Sequence, residues 1–199
     1  MTDYQIVSMK IGLYFGSFNP IHIGHLIIAN YIINNTDVKK VWFVISPQNP
    51  LKISKTLLNE YQRLYLVRLA TEDNSHLMAC DIEFKLPKPS YTINTITYLK
   101  EKYPNHQFAV IMGSDSFENI QKWKNFELLT TENEIIIYSR PGFNVNATYP
   151  HLIILKDAPL LEISATLIRN MIKQGKSIRY LVPDKVKEEI EKSGYFKNK

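Results

Sequence analysis

Short apolar runs rich in β-branched and aromatic residues alternate along this chain with segments of helical periodicity. The runs that read as strands are 11–15, 39–46, 77–85, 107–112, 134–139 and 151–156. Parallel strands need a long crossover connection, usually a helix, whereas antiparallel strands can be joined by a short turn. The alternation therefore predicts an α/β fold, with one doubly wound parallel sheet and helices on both of its faces.

The helical segments carry apolar residues three or four positions apart. In the segment 59–73 these positions are Tyr61, Leu64, Tyr65 and Leu69. A second helix is expected over 91–103, with Ser90 as its N-cap. Pro183 and Asp184 begin a final helix that ends near Gly194, so we expect a helical segment at the C-terminus.

The composition is that of one globular domain spanning 1–199. Hydrophobic residues make up 45% of the chain, which is enough for a sizeable core. No apolar run approaches the roughly 18 residues of a membrane span, and the first residues lack the pattern of a signal peptide. The single cysteine, Cys80, lies in an apolar segment and has no partner for an internal disulfide. We therefore expect a cytoplasmic protein that binds no membrane.

The formal net charge is +5, and the excess is spread along the chain. The densest charged segment, 184–192, mixes both signs at helical spacing and is typical of a solvated helix face. A positive balance suits nucleic acid, but it equally suits a pocket for polyphosphate. Charge alone does not decide between these two, although the lack of a basic stripe leads us to expect no nucleic acid partner.

The stretch from Gly16 to His25 connects the first strand to the first helix. Gly16 allows a sharp turn or a close approach to a ligand, and Pro20 keeps the loop from continuing either element. His22 and His25 are three residues apart, so they share one face of the first helical turn. That end of a helix attracts anions, and two imidazoles there would form a site for phosphate oxygens. A structural loop with two surface histidines remains the alternative.

Three candidate ligand-binding positions each follow a strand: Gly16, Gly113 and Ser164. Because ligands of parallel sheets bind at the carboxyl ends of strands, these positions predict a single site. Ser164 is a suitable N-cap for a helix over 165–173, and Gly175 is suited to the position after its end. Thr166 and Arg169 are three residues apart on that helix and can point the same way. Arginine suits forked phosphate contacts, although a surface arginine is the simpler interpretation.

The first loop resembles the signature of the nucleotidylyltransferase superfamily, with its His-x-x-His phosphate motif. The matching positions are Gly16, Phe18, Pro20, His22, Gly24 and His25. The block 163–169 is similar to the Ile-Ser-x-Thr-x-x-Arg segment by which these enzymes hold ATP phosphates. Four segments between them resemble one branch, the bacterial nicotinate-nucleotide adenylyltransferases: 90–92, 113–115, 122–124 and 140–142.

The resemblance implies a Rossmann-like fold and the transfer of AMP from ATP, accompanied by Mg²⁺, to nicotinate mononucleotide with release of pyrophosphate. It implies that three residues are catalytic, as donors to phosphate oxygens: His22, His25 and Arg169. The ATP-binding residues would be Gly16, Ser17, Phe18, His22, Gly24, His25, Gly113, Asp115, Ser164, Thr166 and Arg169. The nucleotide acceptor would be bound by Lys52, Thr92, Trp123 and Lys124. No protein metal site is implied, and the histidines lack the partner cysteines of a zinc site.

Each acceptor residue also has a simpler structural interpretation. Thr92 could serve only to cap a helix, Trp123 could be a core aromatic, and Lys52 could be a solvated surface lysine. Two positions depart from the family pattern, because Leu51 stands where a histidine is usual and Asn94 where an aspartate is usual.

Several alternative functions share these sequence features. The acceptor could be nicotinamide mononucleotide or phosphopantetheine, although the segments around Thr92 and Trp123 argue against phosphopantetheine. A non-enzymatic nucleotide sensor or an RNA-binding module could use the same fold. Retention of both histidines and of Arg169 disfavours that interpretation. The sequence does not indicate an oligomeric state.

Overall fold

A computed structural model describes residues 8–47, 56–143, 145, 148–159 and 161–197. Within these residues, the strands are β1 (Lys10–Gly16), β2 (Lys40–Ile45), β3 (Leu77–Cys80), β4 (Gln107–Gly113), β5 (Glu134–Tyr138) and β6 (Leu152–Leu155). They form one sheet in the order β3-β2-β1-β4-β5-β6, and every neighbouring pair is parallel. The predicted doubly wound parallel sheet is therefore confirmed, and its strand order reverses between β1 and β4.

The α-helices of the described residues cover both faces of this sheet. They are α1 (Ile23–Asn35), α2 (Glu60–Thr71), α3 (Thr92–Lys102), α4 (Ser114–Phe117), α5 (Phe126–Glu132), α6 (Ala165–Lys173) and α7 (Asp184–Ser193). Buried residues of α1, α2, α6 and α7 share one hydrophobic cluster, while those of α3, α4 and α5 share another. None of the helices in the described part of the chain is both long and apolar enough to span a bilayer.

Successive side chains of a strand pack alternately into the two hydrophobic clusters, one on each face of the sheet. On β2, Phe43 packs with α1 and α2, whereas Trp42 and Val44 pack on the opposite face with α3. This alternation follows from the two-residue period of a strand, and it makes the central strands apolar on both sides. The apolar runs of the sequence are therefore strands buried on both faces.

Two cap predictions are confirmed in the C-terminal part. Ser164 Oγ accepts a hydrogen bond from the Leu167 amide at 3.1 Å and caps α6. Gly175 follows the end of α6 with a φ of +67°, which favours glycine. Cys80 is buried, as expected of a small core residue.

Two predictions in the middle of the chain are wrong. The expected strand over 77–85 ends at Cys80 and continues as a 3₁₀ helix over Ile82–Lys85. Ser90 does not cap α3, because Tyr91 is the N-cap residue and the Ser90 hydroxyl donates instead to Glu83 Oε2 at 2.7 Å. Both differences involve Glu83, which lies in the 3₁₀ helix and whose buried carboxylate accepts hydrogen bonds from Ser90 and Thr95.

The helix α2 was predicted, but its buried face differs from the expected stripe. Tyr61 and Tyr65 are 65% and 47% exposed, whereas Arg63 is fully buried. The aromatic rings are therefore at the surface, and a charged residue takes a core position.

Candidate active site

A cleft of about 640 Å³ lies at the carboxyl ends of β1 and β4, where the strand order reverses. Most of the predicted site residues line it: Gly16, Ser17, Phe18, His25, Thr92, Gly113, Asp115, Trp123, Lys124, Thr166 and Arg169. The remaining predicted residues that the structure describes, His22, Gly24 and Ser164, line a smaller cavity of about 280 Å³. Lys52 and Leu51 lie outside the described residues.

The two cavities are contiguous. They share Tyr14, His25, Tyr138 and Arg140, so these four side chains form a common wall. The structure thus brings residues from both ends of the sequence signature into one continuous site.

The loop after β1, residues 16–20, is shaped by the packing of Phe18. A Cβ on Gly16 would lie 2.9 Å from the Phe18 ring, so the ring excludes a side chain at that position. The ring itself is buried, with centroids 5.4 Å from Phe43 and 5.1 Å from His25. Phe18 has a φ of +45°, which turns the backbone of the loop. Since its ring faces the core, Phe18 can meet a ligand mainly through its backbone.

His22 and His25 begin α1 and stack on each other. His22 is the N-cap residue, and the two ring centroids are 3.7 Å apart. The predicted shared face of the first turn is therefore observed. His25 Nδ1 accepts a hydrogen bond from the His22 amide at 3.3 Å. The neutral His25 ring consequently carries its proton on Nε2, which is available as a donor.

Both imidazoles are neutral at pH 7 in the ligand-free site. Burial lowers the pKa of His22 to about 4, and the nearby charge of Arg140 acts in the same direction. Burial also lowers the pKa of His25 well below its usual range, with the charges of His22 and Arg140 adding to the effect. No described residue forms a hydrogen bond with the buried Nδ1 of His22. The pair is therefore neutral, and a bound anion would favour its protonation by raising the pKa of the imidazoles.

Arg169 connects α6 to the loop after β1. Its Nη1 donates to the Asn19 carbonyl at 2.8 Å, and its Nη2 donates to Thr166 Oγ1 at 3.0 Å. The predicted pairing of Thr166 with Arg169 is thus observed as a hydrogen bond. Because a guanidinium has five N–H donors, Arg169 keeps donors for a ligand in the cleft.

A hydrogen-bonded chain at the wall shared by the two cavities was missed by the sequence analysis. Arg140 Nη1 lies 3.3 Å from Asp115 Oδ2, and Arg140 Nη2 donates to the Tyr138 hydroxyl at 3.1 Å. The Tyr138 hydroxyl is in turn 2.9 Å from that of Tyr14. A Cβ on Gly113 would lie 2.4 Å from Asp115 Oδ1, so glycine makes room for the carboxylate. The available signal was that Arg140 follows a strand at the same edge as Gly113.

The predicted acceptor residues that the structure describes also line the larger cleft. Thr92 is the first residue of α3 and Trp123 is half-buried, so neither is enclosed in the core. Lys124 Nζ lies 4.6 Å from the centroid of the Tyr91 ring. This cation–π contact holds a positive charge beside the aromatic lining of the cleft.

Glu83 is a buried carboxylate in the cleft wall that the sequence analysis also missed. It is 2% exposed and accepts hydrogen bonds from the hydroxyls of Ser90 at 2.7 Å and Thr95 at 2.9 Å. Burial raises its pKa, while hydrogen bonds from Ser90, Thr95 and Ser46 oppose the shift. An acidic residue inside an otherwise apolar run was the available signal.

Asn94, in contrast, is exposed and is not among the described residues that line the cleft. The departure from the family pattern at this position therefore lies at the surface of α3. The carboxylate that lines the cleft near the predicted acceptor residues is Glu83, which comes from a different segment.

The parallel sheet, the cleft at its switch point and the imidazole and guanidinium groups around it define a nucleotide-binding α/β protein. A family model described as cytidylyltransferase-like matches residues 13–171. A probable nicotinate-nucleotide adenylyltransferase of Flavobacterium johnsoniae is 49% identical over 193 residues, covering 95% of this chain and 100% of the relative. One of Cytophaga hutchinsonii is 50% identical over 191 residues, covering 96% and 100%. The chain therefore belongs to the cytidylyltransferase-like family and, within it, to the nicotinate-nucleotide adenylyltransferases.

A solved structure supports the same fold. The Plasmodium falciparum nicotinic acid mononucleotide adenylyltransferase complexed with NaAD has a TM-score of 0.78 and 22% sequence identity, covering 94% of this chain and 97% of that one. At this identity the likeness concerns the fold alone. The family resemblance noted from the sequence motifs is confirmed by the relatives.

Proposed function

We propose that this chain transfers AMP from ATP to nicotinate mononucleotide, forming nicotinate adenine dinucleotide and pyrophosphate in NAD biosynthesis. One observation carries the proposal: the two phosphate-type blocks, around His25 and Arg169, share a cleft with the segments around Thr92 and Trp123. Relatives and a structural neighbour carry names that state the same activity.

The reaction needs positioning and charge stabilisation rather than a protein nucleophile. An oxygen of the acceptor's 5′-phosphate attacks the α-phosphorus of ATP, and the bond from that phosphorus to the bridging oxygen of pyrophosphate breaks. Negative charge then grows on the departing pyrophosphate. His25 Nε2–H and the free N–H groups of Arg169 would donate to those oxygens.

The adenosine part of ATP fits the smaller cavity. That cavity has apolar walls at Phe143, Leu161 and Ile163, which suit the face of a purine base. It opens beside His25 and Arg140, so a base bound there would direct its phosphates into the larger cleft. This placement accounts for Gly24 and Ser164, which line the smaller cavity.

Mg²⁺ is expected to arrive with ATP as part of the substrate. The described residues hold no cluster of three or more His, Cys, Asp or Glu side chains that could form a protein metal site. Asp115 is a carboxylate that lines the larger cleft, and it is already paired with Arg140. Oxygens of the triphosphate and water are therefore the expected ligands, and the ion shares the phosphate charge.

The acceptor end favours a carboxylate over an amide. Thr92 and Lys124 line this part of the cleft and offer a hydroxyl and an ammonium donor, whereas the Trp123 amide already donates to the Ile120 carbonyl. Glu83 is 2% exposed and already accepts hydrogen bonds from the hydroxyls of Ser90 and Thr95, one on each carboxylate oxygen, so it is a poor acceptor for a ligand group. The NH₂ group of nicotinamide would consequently face other donors and stay unpaired, which costs about 1–3 kcal/mol.

The deciding experiment measures kcat/KM for nicotinate and nicotinamide mononucleotides with the same enzyme preparation. We expect at least a roughly tenfold preference for the acid. Lys124→Met should reduce this ratio by roughly two- to fivefold, as for an exposed charge. Lys102→Met is the matched control, because Lys102 lies 5.3 Å from the Tyr103 ring centroid but does not line the cleft.

Other outcomes would favour the alternatives. A preference for the amide would mean that nicotinamide mononucleotide is the acceptor. The absence of pyrophosphate with either acceptor would instead support a nucleotide sensor on this fold.

We also propose that residues 1–199 form one nucleotidylyltransferase domain, since elements from β1 to α6 build the two cavities. The cytoplasm is the proposed compartment, because a reducing environment suits a single buried thiol at Cys80. The proposed partners are the two nucleotide substrates, without nucleic acid or membrane.

A further inference from the structure

Arg63 is a fully buried cation directly behind the wall of the cleft. It lies on α2 and is 0% exposed. Its guanidinium donates to four backbone carbonyls: Leu58 at 2.9 Å, Ser17 at 2.7 Å, Ser46 at 2.8 Å and Pro47 at 3.0 Å. These carbonyls belong to the loops that follow β1 and β2 and to the residues that precede α2. One side chain therefore connects three segments at the edge of the site.

The burial of Arg63 is not balanced by a salt bridge with any described residue. Burial lowers its pKa to about 10, and the charge of Glu60 opposes this shift only partly. The residue is still a cation at neutral pH. Removing a guanidinium from water is unfavourable unless its donors find partners, and here the partners are carbonyl groups. A residue that served only to fill space would not need this arrangement.

The contact with Ser17 fixes the orientation of one peptide unit in the loop after β1. The Ser17 carbonyl points at Arg63, which is not among the residues lining the cleft, while Ser17 and Phe18 do line it. In a planar trans peptide the following N–H points opposite to the carbonyl. The Phe18 amide therefore points away from Arg63, and Phe18 itself lines the cleft. Within the described part of the chain, no group accepts a hydrogen bond from this amide.

Asn19 holds the same loop from its other end. Its side chain donates to the Thr56 carbonyl at 3.0 Å and accepts from the Leu58 amide at 3.1 Å, while its carbonyl accepts from Arg169. The peptide between Ser17 and Phe18 thus lies between two anchored residues and cannot turn over independently of them.

We propose that Arg63 is a positioning residue, which holds the Ser17–Phe18 peptide so that its amide donates to a phosphate group in the cleft. The role rests on the proposed function in that the phosphate belongs to ATP or to the departing pyrophosphate. Arg63 itself touches neither substrate. Its effect is exerted through the orientation of a single backbone donor.

The test compares Arg63→Lys with Arg68→Lys, since Arg68 lies on the same helix and is exposed. The first measurement is a titration with inorganic pyrophosphate and Mg²⁺. The ¹⁵N–¹H resonance of the Phe18 amide is monitored at each step of the titration. In the wild type and in Arg68→Lys this resonance should shift. In Arg63→Lys the same response should need at least a roughly tenfold higher pyrophosphate concentration, because one ammonium cannot hold four carbonyls.

Turnover provides the second readout. For Arg63→Lys we expect kcat/KM for ATP to fall at least roughly tenfold in the folded enzyme, as for a displaced phosphate donor. A folded Arg63→Lys with the wild-type Phe18 response would overturn the proposal. If this variant does not fold, the pyrophosphate titration of the wild type is the test. A Phe18 amide resonance that does not shift overturns the proposal, and one that shifts supports it. Product formation by the wild type tests the proposed reaction separately.

Discussion

Acid is expected to destabilise the ligand-free protein through His22. The ring is buried and has a folded-state pKa of about 4, whereas an unfolded histidine has an ordinary value near 6.5. Below pH 6.5 the unfolded chain therefore binds a proton that the folded chain does not accept. A base with a lowered folded-state pKa contributes stability above its unfolded pKa, and that stability is lost as the pH falls towards the folded value.

The expected magnitude follows from these two pKa values. When the pH is lowered from roughly 7.5 to 5, the linkage relation predicts that His22 alone lowers the free energy of unfolding by about 2 kcal/mol. For a chain of this length, such a loss lowers the melting temperature by about 4–8 °C. His25 acts in the same direction, because burial also lowers its pKa. The total loss in the wild type should therefore exceed the contribution of His22.

The assay is urea unfolding of the wild type and of His22→Asn at both pH values. Asparagine does not titrate and is a good residue for the N-cap position that His22 occupies. His151→Asn is the control, because His151 is exposed. Lowering the pH should reduce the free energy of unfolding less in His22→Asn than in the wild type, by about 2 kcal/mol. Equal losses in the two proteins would show that His22 titrates normally in the fold and would refute the reasoning.

Two further predictions concern turnover. His25→Ala should lower kcat by about two to three orders of magnitude, as for one preorganised donor, and near-normal turnover of the folded variant would return His25 to a structural role. Gly113→Ala should lower kcat/KM at least about tenfold by displacing Asp115 from Arg140. Gly12→Ala is its comparison: a Cβ there would lie 2.5 Å from Ile111 Cδ1 and not near Asp115, so it should lower stability and change kcat/KM less than Gly113→Ala does.

The features that depend on local pattern could be predicted from the sequence. Strand runs buried on both faces are apolar throughout, and a helix cap such as Ser164 is determined by its nearest neighbours. The alternation of strands with helices then leaves a parallel sheet as the natural arrangement. The positions Gly16 and Gly113 could be placed at one site because both lie at the carboxyl ends of strands of that sheet.

The features that depend on contacts between distant segments could not be predicted. In α2, the periodicity predicts that Tyr61 and Tyr65 belong to the apolar face of the helix, with the polar Arg63 between them, yet both tyrosines are exposed. Arg63 is nevertheless buried because its partners are carbonyls 5 to 46 residues away. Periodicity measures apolarity and carries no information on such carbonyls. The burial of Glu83 depends in the same way on hydroxyls of a later segment.

The neutral histidines connect the stability of the empty site with its proposed chemistry. Arg169 and Arg140 already place two guanidinium groups beside the cleft, and a protonated His25 would add a like charge next to Arg140. Burial avoids that repulsion by keeping the imidazoles neutral until an anion arrives. A bound triphosphate favours the charged form, so positive charge would appear only when phosphate oxygens are present to use it. The low folded-state pKa that makes the empty protein sensitive to acid is thus the property that lets this histidine pair respond to its ligand.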